Sequence, residues 1–365
     1  MKIDTFILKI ASQCNLNCSY CHIYNMGDIG YKYQPKFIEN ETIISFSKAL
    51  EQYTIEENIK TVFISFHGGE PLLINRLKFQ QILNIINEKN KHINIVYLIQ
   101  TNGVLLNKDW AEILKENNVH VGVSLDGVKK INDRYRKFHN GRGSYDVITR
   151  NIKNLQQYDI VEGIISVVDV DTDPSEFYYH MKSINSNQLN ILLPNINYHN
   201  IPDFYKPVDD FIKKVGCWMI DLYKCWKYDT SRVDIPFFEL IIKLLSGYKD
   251  YGNQLVGNCT NGVAVLETNG DIEVIDSLRI SYNGATRTGN NISQHKISSL
   301  HDNDLFIKYY YSHIELPFVC RSCSIKKICG GGFIVHRFNK DFNNPSIYCE
   351  SLYKIINYIK KDLFK

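Results

Sequence analysis

Short apolar runs alternate with amphipathic stretches along the first two-thirds of the chain. The apolar runs predict strands at Thr5–Ile10, Thr61–Phe66, Ile93–Gln100, Val119–Leu125, Gly163–Val168 and Leu189–Leu193. The amphipathic stretches predict helices near residues 41–54, 75–89, 108–117, 144–157 and 175–184. Parallel neighbours need a crossover between them, so this alternation argues for a parallel α/β sheet. Six such units fit a partial (β/α)6 TIM-like barrel better than a full eight-fold one. Residues 205–248 read as helical, with Trp218, Leu222, Cys225 and Trp226 at helical spacing. After Gly257 the texture changes. Gly262–Thr268 and Asp271–Ile275 flank Asn269-Gly270, the sequence of a tight hairpin turn. The remainder is loop-rich and cysteine-rich, a kind of small module that usually needs a metal staple. The expected division is a barrel over 1–205, a helical bridge over 206–256 and a small cysteine-rich domain over 257–365.

Composition narrows the setting. A net charge of +3 over 365 residues leaves no electrostatic footprint for nucleic acid. No apolar stretch approaches the roughly 20 residues a membrane helix needs. Met1–Ile10 carries two lysines and an aspartate in an alternating run, which reads as a first strand and not as a signal peptide. A cytoplasmic, reducing setting is therefore expected, where ten cysteines point to metal before disulfides. Cys217 and Cys225 lie in the aromatic helical stretch and read as ordinary buried thiols.

The strongest local pattern is Cys14-x3-Cys18-x2-Cys21, directly after the first strand. Three thiolates can hold three irons of a 4Fe–4S cube and leave the fourth iron for a small molecule to chelate. Electron-transfer clusters take four cysteines, and zinc sites commonly use CxxC pairs. With Tyr20 in the aromatic position, the motif resembles that of the radical SAM superfamily. The resemblance implies S-adenosylmethionine (AdoMet) chelated to the open iron and split reductively to a 5′-deoxyadenosyl radical.

Further motifs stand at strand ends, where barrel sites gather. His67-Gly68-Gly69-Glu70-Pro71 follows the second strand, Gln100-Thr101-Asn102-Gly103 the third, and Ser124-Leu125-Asp126-Gly127 the fourth. The resemblance makes Tyr20, Gly68, Gly69, Glu70, Asn102, Ser124 and Asp126 contacts of AdoMet. Glycines admit the backbone to the methionine moiety, and strand-end carbonyls or Glu70 can accept from its ammonium. Arg134 or Arg136 is expected on the AdoMet carboxylate, the choice between them being open. His22 and His67 read as structural rather than as ligands.

Near the C-terminus, Cys320-x2-Cys323-x5-Cys329-x19-Cys349 resembles the outer-cluster ligands of the SPASM extension found in radical SAM enzymes that act on peptides and proteins. The inner set is depleted. Cys259 stands near one expected position, but Ile275 and Phe333 occupy two others. One auxiliary 4Fe–4S cluster is therefore expected, with tetrahedral zinc as the rival occupant. Asp276 follows the lost cysteine position, and in related enzymes an aspartate there acts as a base toward the substrate radical. A hairpin-end aspartate is the alternative.

Taken together, Phe66–Leu73, Gln100–Leu106, Val121–Gly127, Arg134-x-Arg136, Gly141–Asp146, Glu267–Glu273, Asp276-Ser-Leu, Cys329-Gly-Gly-Gly and Asn344–Cys349 resemble the radical SAM/SPASM maturases that build cyclophane crosslinks in ribosomally made peptides. The implied reaction removes a Cβ hydrogen and joins that carbon to an aromatic ring. A ribosomal precursor peptide and a flavodoxin- or ferredoxin-type reductant are the implied partners, with no nucleic acid and no membrane. Thioether formation, epimerisation and formylglycine formation are the alternatives within the superfamily, and a non-catalytic electron carrier lies outside them. The first strand starts at residue 5, so recognition of a leader peptide is expected from the barrel, the bridge, the SPASM surface or another protein.

Overall fold

A computed structural model describes residues 1–184 and 187–364. Two compact units emerge. The first comprises residues 1–125, 133–162 and 262–307, and the second residues 126–132, 163–261 and 308–365.

In the first unit, four parallel strands take the order β4 (Val119–Ser124), β3 (Asn94–Thr101), β2 (Thr61–Gly68), β1 (Thr5–Ala11). Helices α1 (Asn40–Glu56), α2 (Arg76–Lys89) and α3 (Lys108–Glu116) connect them. The sheet continues from β1 to a parallel β7 (Val263–Leu266), then to antiparallel β8 (Asp271–Glu273) and β9 (Arg287–Asn291). Six of the seven residues of β1 are buried, as befits a strand with partners on both edges and cover on both faces. An aromatic chain fixes helices to sheet: Phe66 stacks on Tyr97 and meets Phe79 edge-on, and Phe79 meets Trp110. Asn75 and Asn107 start α2 and α3 by accepting from Leu77 and Trp110 N–H groups, since the first turn of a helix leaves its donors unpaired.

The expected strand starts and ends fall within two residues of those observed. The Asn269-Gly270 hairpin is present, with Gly270 at φ +88°. Helices α4 (Lys129–Tyr135) and α5 (Tyr145–Asn154) follow β4, and β5 (Val161–Val167), α6 (Pro174–Ser183) and β6 (Gln188–Leu192) complete six strand–helix repeats, so the α/β class with a parallel core holds.

In the second unit β5 runs parallel to β6. The stretch expected to be helical is two helices, α7 (Val208–Tyr228) and α8 (Pro236–Leu245). Gly216 lets α7 lie close against α11 (Cys349–Leu363): a Cβ there would stand 3.1 Å from the Ser351 Cα. One expectation fails here. Cys217 is exposed and Cys225 half-buried, so neither is an ordinary core thiol. The buried arc of α7 centres on Val215, Met219, Leu222 and Trp226. At 100° per residue Cys217 falls on the opposite side and Cys225 at the margin. The Lys354 ammonium donates to Cys217 Sγ at 3.0 Å. Among the described residues no helix is long and apolar enough to cross a membrane.

Candidate active site

The loop that leaves β1 carries Cys14, Cys18 and Cys21. It is tied to residues 135–138 by Asn17 N–H donating to the Lys137 carbonyl at 2.7 Å and Ser19 N–H to that of Tyr135 at 3.0 Å. Tyr20 packs against Tyr135 and receives a hydrogen bond from Arg136 Nη1 at 3.1 Å. Arg136 is buried and lowers the charge cost at Cys21 and Glu70, whereas Arg134 lies over the Tyr135 ring at 5.7 Å. Of the two arginines left open by the sequence, Arg136 is the one turned to this loop.

Burial pushes the Cys14 thiol to about 12 and that of Cys21 to about 11, and the neighbouring thiols push in the same direction. Three thiols packed together in this way ionise readily only beside a metal cation, which displaces their protons. The donor set therefore fits an iron–sulfur cluster. Leu16 N–H and Asn102 Nδ2 point to Cys14 Sγ at 3.4 and 3.7 Å, as hydrogen-bond donors to a cluster thiolate would. Among the described residues no three or more His, Cys, Asp or Glu side chains are drawn together as they are around a single metal ion.

The end of β2 lies against this loop. Gly69 N–H donates to the Ala11 carbonyl and Glu70 N–H to that of Gln13, both at 2.8 Å. A Cβ on Gly69 would come within 2.0 Å of the Tyr24 hydroxyl and 2.3 Å of the Gln13 carbonyl oxygen. Backbone cannot yield as a side chain tip can, so Gly69→Ala is expected to destabilise by about 1–3 kcal/mol. Thermal unfolding of the metal-free chain measures this, and an unchanged midpoint would mean that the loop is free to shift.

Glu70 is fully buried. Its Oε1 accepts from Thr101 Oγ1 at 2.6 Å and Leu72 N–H at 3.1 Å, and its Oε2 from Asn102 N–H at 2.7 Å. Burial pushes the carboxyl up, and these donors work against the shift. Glu70 thus clips the end of β2 to the end of β3. Asn102 Nδ2 also donates to Asn15 Oδ1 at 2.7 Å, which brings the third strand end to the cysteine loop. Ser124 Oγ accepts from Gln100 at 2.9 Å across the ends of β3 and β4. Asp126 belongs to the second unit, where Oδ1 accepts from Val167 N–H at 3.1 Å.

Asp276 is buried in the first unit, just beyond β8. Lys9 Nζ lies 3.6 Å from one carboxylate oxygen and His22 Nε2 3.5 Å from the other. Burial opposes ionisation, but His22 and Lys9 outweigh it and hold this carboxyl well below the usual range. His67, facing the same group, is pushed by burial down to about 4 and stays neutral at pH 7. Behind Asp276 runs a set of buried ions that the sequence reading missed. Lys9 binds Glu267 at 2.6 Å, and Arg279 binds Glu267 at 2.8 Å, Asp28 at 2.7 Å and Glu273. A lysine inside the apolar β1 run Thr5–Ala11 was the available signal, because a strand buried on both faces pairs any charge it carries.

The C-terminal cysteines come together in the second unit. Cys320, Cys323, Cys329 and Cys349 line one recess with Gly331 and Tyr353. Burial pushes Cys329 to about 12, and Cys349 adds to that. Four cysteines lining one recess fit a tetrathiolate site. Ile275 and Phe333, at two positions of a complete inner set, are buried apolar residues.

Comparison with known proteins agrees with this arrangement. The sequence profile of the radical SAM superfamily matches residues 8–181. A cysteine-type anaerobic sulfatase-maturating enzyme of Clostridium novyi is 30% identical, with 96% of this chain and 94% of that protein aligned. A solved structure of native anSMEcpe with bound AdoMet superposes with a TM-score of 0.84 at 23% identity, covering 99% of this chain and 98% of that one. Streptococcus suis SuiB bound to precursor peptide SuiA superposes at 0.59 and 17% identity, covering 96% and 76%. With a 30% identical relative aligned along nearly its whole length, the chain belongs to the radical SAM superfamily and is an enzyme of the type that uses AdoMet with 4Fe–4S clusters.

Proposed function

We propose that this radical SAM enzyme is a peptide maturase that takes a Cβ hydrogen from a ribosomal precursor peptide and joins that carbon to an aromatic side chain of the same peptide. The observation that carries the reading is Asp276, a buried carboxylate kept ionised beside Lys9 and His22. In this reading Cys14, Cys18 and Cys21 hold the AdoMet cluster, and Cys320, Cys323, Cys329 and Cys349 hold a single auxiliary one. Gly68, Gly69, Glu70, Asn102, Ser124, Asp126 and an arginine, for which the buried Arg136 is favoured over Arg134, receive AdoMet. The barrel of 1–205, the bridge of 206–256 and the SPASM-like segment of 257–365 would divide these tasks. When bound, AdoMet and its cluster supply a 5′-deoxyadenosyl radical, and the auxiliary cluster supplies a one-electron acceptor.

The chain's own residues then have defined work. Tyr20 and Arg136 brace the cysteine loop. Glu70 holds two strand ends in register. Asp276 takes the ring proton that must leave when the aromatic partner, having gained a bond to carbon, regains its aromaticity. One hydrogen atom, one proton and one electron leave the peptide, a net loss of two hydrogens per crosslink.

A second reading is supported by the relatives, which are named for sulfatase maturation. In it the carbon radical is oxidised to an aldehyde, giving formylglycine. The buried Ile275 and Phe333 weigh against it, since the complete inner cysteine set that the resemblance associates with that chemistry is absent. Mass spectrometry of the peptide encoded beside the gene, coexpressed with this enzyme, separates the two. A loss of two hydrogens without reactivity toward an aldehyde reagent supports the crosslink. An aldehyde-reactive product supports formylglycine, and unchanged mass with deuterium at Cα means epimerisation.

Metal content is a further expected outcome. Two cubes give about eight irons per chain. Anaerobic iron, zinc and sulfide analysis checks this. About four irons with one zinc would make the C-terminal site structural, and about twelve would mean that Cys259 and other ligands rescue an inner cluster.

A further inference from the structure

Arg337 is almost completely buried in the second unit, at 2% exposure. Its guanidinium makes four hydrogen bonds, all to backbone carbonyls: Gly331 from Nε at 3.0 Å, Ser312 from Nη1 at 2.8 Å, and Gly330 and Gly332 from Nη2 at 2.7 and 2.6 Å. Among the described residues it has no carboxylate partner. A buried charge is normally paired with an opposite one, because carbonyl dipoles replace hydration only in part. Arg279 in the first unit has that pairing, with Asp28, Glu267 and Glu273 around it. Arg337 lacks it.

Three of the four carbonyls that hold Arg337 belong to the residues directly after Cys329. Gly330, Gly331 and Gly332 all have positive φ, at +56°, +75° and +71°, a run only glycine adopts readily. That left-handed run turns successive carbonyls toward the guanidinium while Gly331 lines the recess of Cys320, Cys323, Cys329 and Cys349. Gly331 stands between the two: a Cβ there would come within 2.8 Å of Arg337 Nη2, so the guanidinium lies directly behind the wall of the thiol recess. His313 and His336 are both held neutral by burial, at about 4 and about 3, so neither supplies charge to the recess.

We propose that Arg337 is the fixed countercharge of the occupant of the four-cysteine recess, and that it raises the reduction potential of an auxiliary cluster held there. This rests on the assignment of that recess to a 4Fe–4S cluster. Each electron added makes a tetrathiolate cluster more anionic, so a permanent cation beside it favours the reduced form. The tripled glycine turn then serves to present carbonyls to the guanidinium and cysteine to the metal from the same few residues.

The test is a redox titration of the auxiliary cluster by electron paramagnetic resonance. It is done in the full-length holoenzyme and again with Cys14, Cys18 and Cys21 replaced by alanine, so that one cluster remains. Arg337→Gln keeps a donor and loses the charge. It is expected to weaken reduction at least about tenfold, a shift of about 59 mV to lower potential for one electron. Arg337→Lys, which keeps the charge but not the planar fork, is expected to stay near the wild-type potential. An unchanged potential in Arg337→Gln at full iron content overturns the proposal. If Arg337→Gln does not accumulate, Arg337→Lys decides: a fall as large as about 59 mV overturns the proposal, and retention of the potential supports it. Absence of iron from the recess in the wild type would instead remove the cluster assignment on which the proposal rests.

Discussion

Replacing Cys14, Cys18 and Cys21 together with alanine abolishes 5′-deoxyadenosine formation and lowers iron by about four per chain, one cube's worth. The three residues sit on one loop directly after β1, and burial with neighbouring sulfur raises the Cys14 and Cys21 thiols. Alanine removes the ligands without adding bulk, and the loop keeps its backbone ties to Tyr135 and Lys137. The C-terminal site has its own four cysteines and is expected to keep its metal. Deoxyadenosine measured by chromatography after anaerobic reduction, beside iron analysis of the same sample, checks both halves. Persistent deoxyadenosine in this variant would refute the assignment of the AdoMet site.

Asp276→Asn leaves AdoMet cleavage intact and removes most of the modified peptide. Asparagine keeps the shape and reach of the side chain but has no comparable affinity for a proton. A positioned base is typically worth about 10²–10⁴-fold in rate. His22 and Lys9 outweigh burial and hold the carboxyl well below its ordinary range, so it stays ionised and unprotonated across the neutral range, a weak base that takes a proton only from a strongly acidic group such as a ring that has added a bond to carbon. The readout is the ratio of crosslinked peptide to deoxyadenosine. In the variant the peptide radical is reduced by one electron from the external reductant and takes a deuteron from solvent, so peptide made in heavy water returns unmodified apart from deuterium. Undiminished crosslinking would reduce Asp276 to a hairpin-end residue.

The parts of this molecule that the sequence disclosed are those governed by local rules. Strand ends at Gly68, Thr101 and Ser124 were legible because apolar runs stop where glycine, asparagine or a polar pair begins. The Asn269-Gly270 turn was legible because tight hairpin loops favour this pair, with glycine taking the left-handed position at φ +88°. What escaped was held by distance. Lys9 and Glu267 are 258 positions apart, and nothing periodic links them. Arg337 escaped because it reads as one more basic residue until its four carbonyl partners are seen. Cys217 was misjudged because aromatic neighbours mark a helix as buried without saying which arc of it faces inward.

The Glu70 clip has a thermodynamic consequence for ligand capture. Three donors from residues 72, 101 and 102 converge on its two oxygens, all of them supplied by the chain itself. In the proposed AdoMet site the walls formed by the β2 and β3 ends therefore need little further ordering on binding. The conformational entropy of that ordering is lost at folding, so little of the contact energy with AdoMet is consumed in immobilising the protein. Such preorganisation leaves more of the binding energy to hold the ligand in the one orientation that suits bond cleavage.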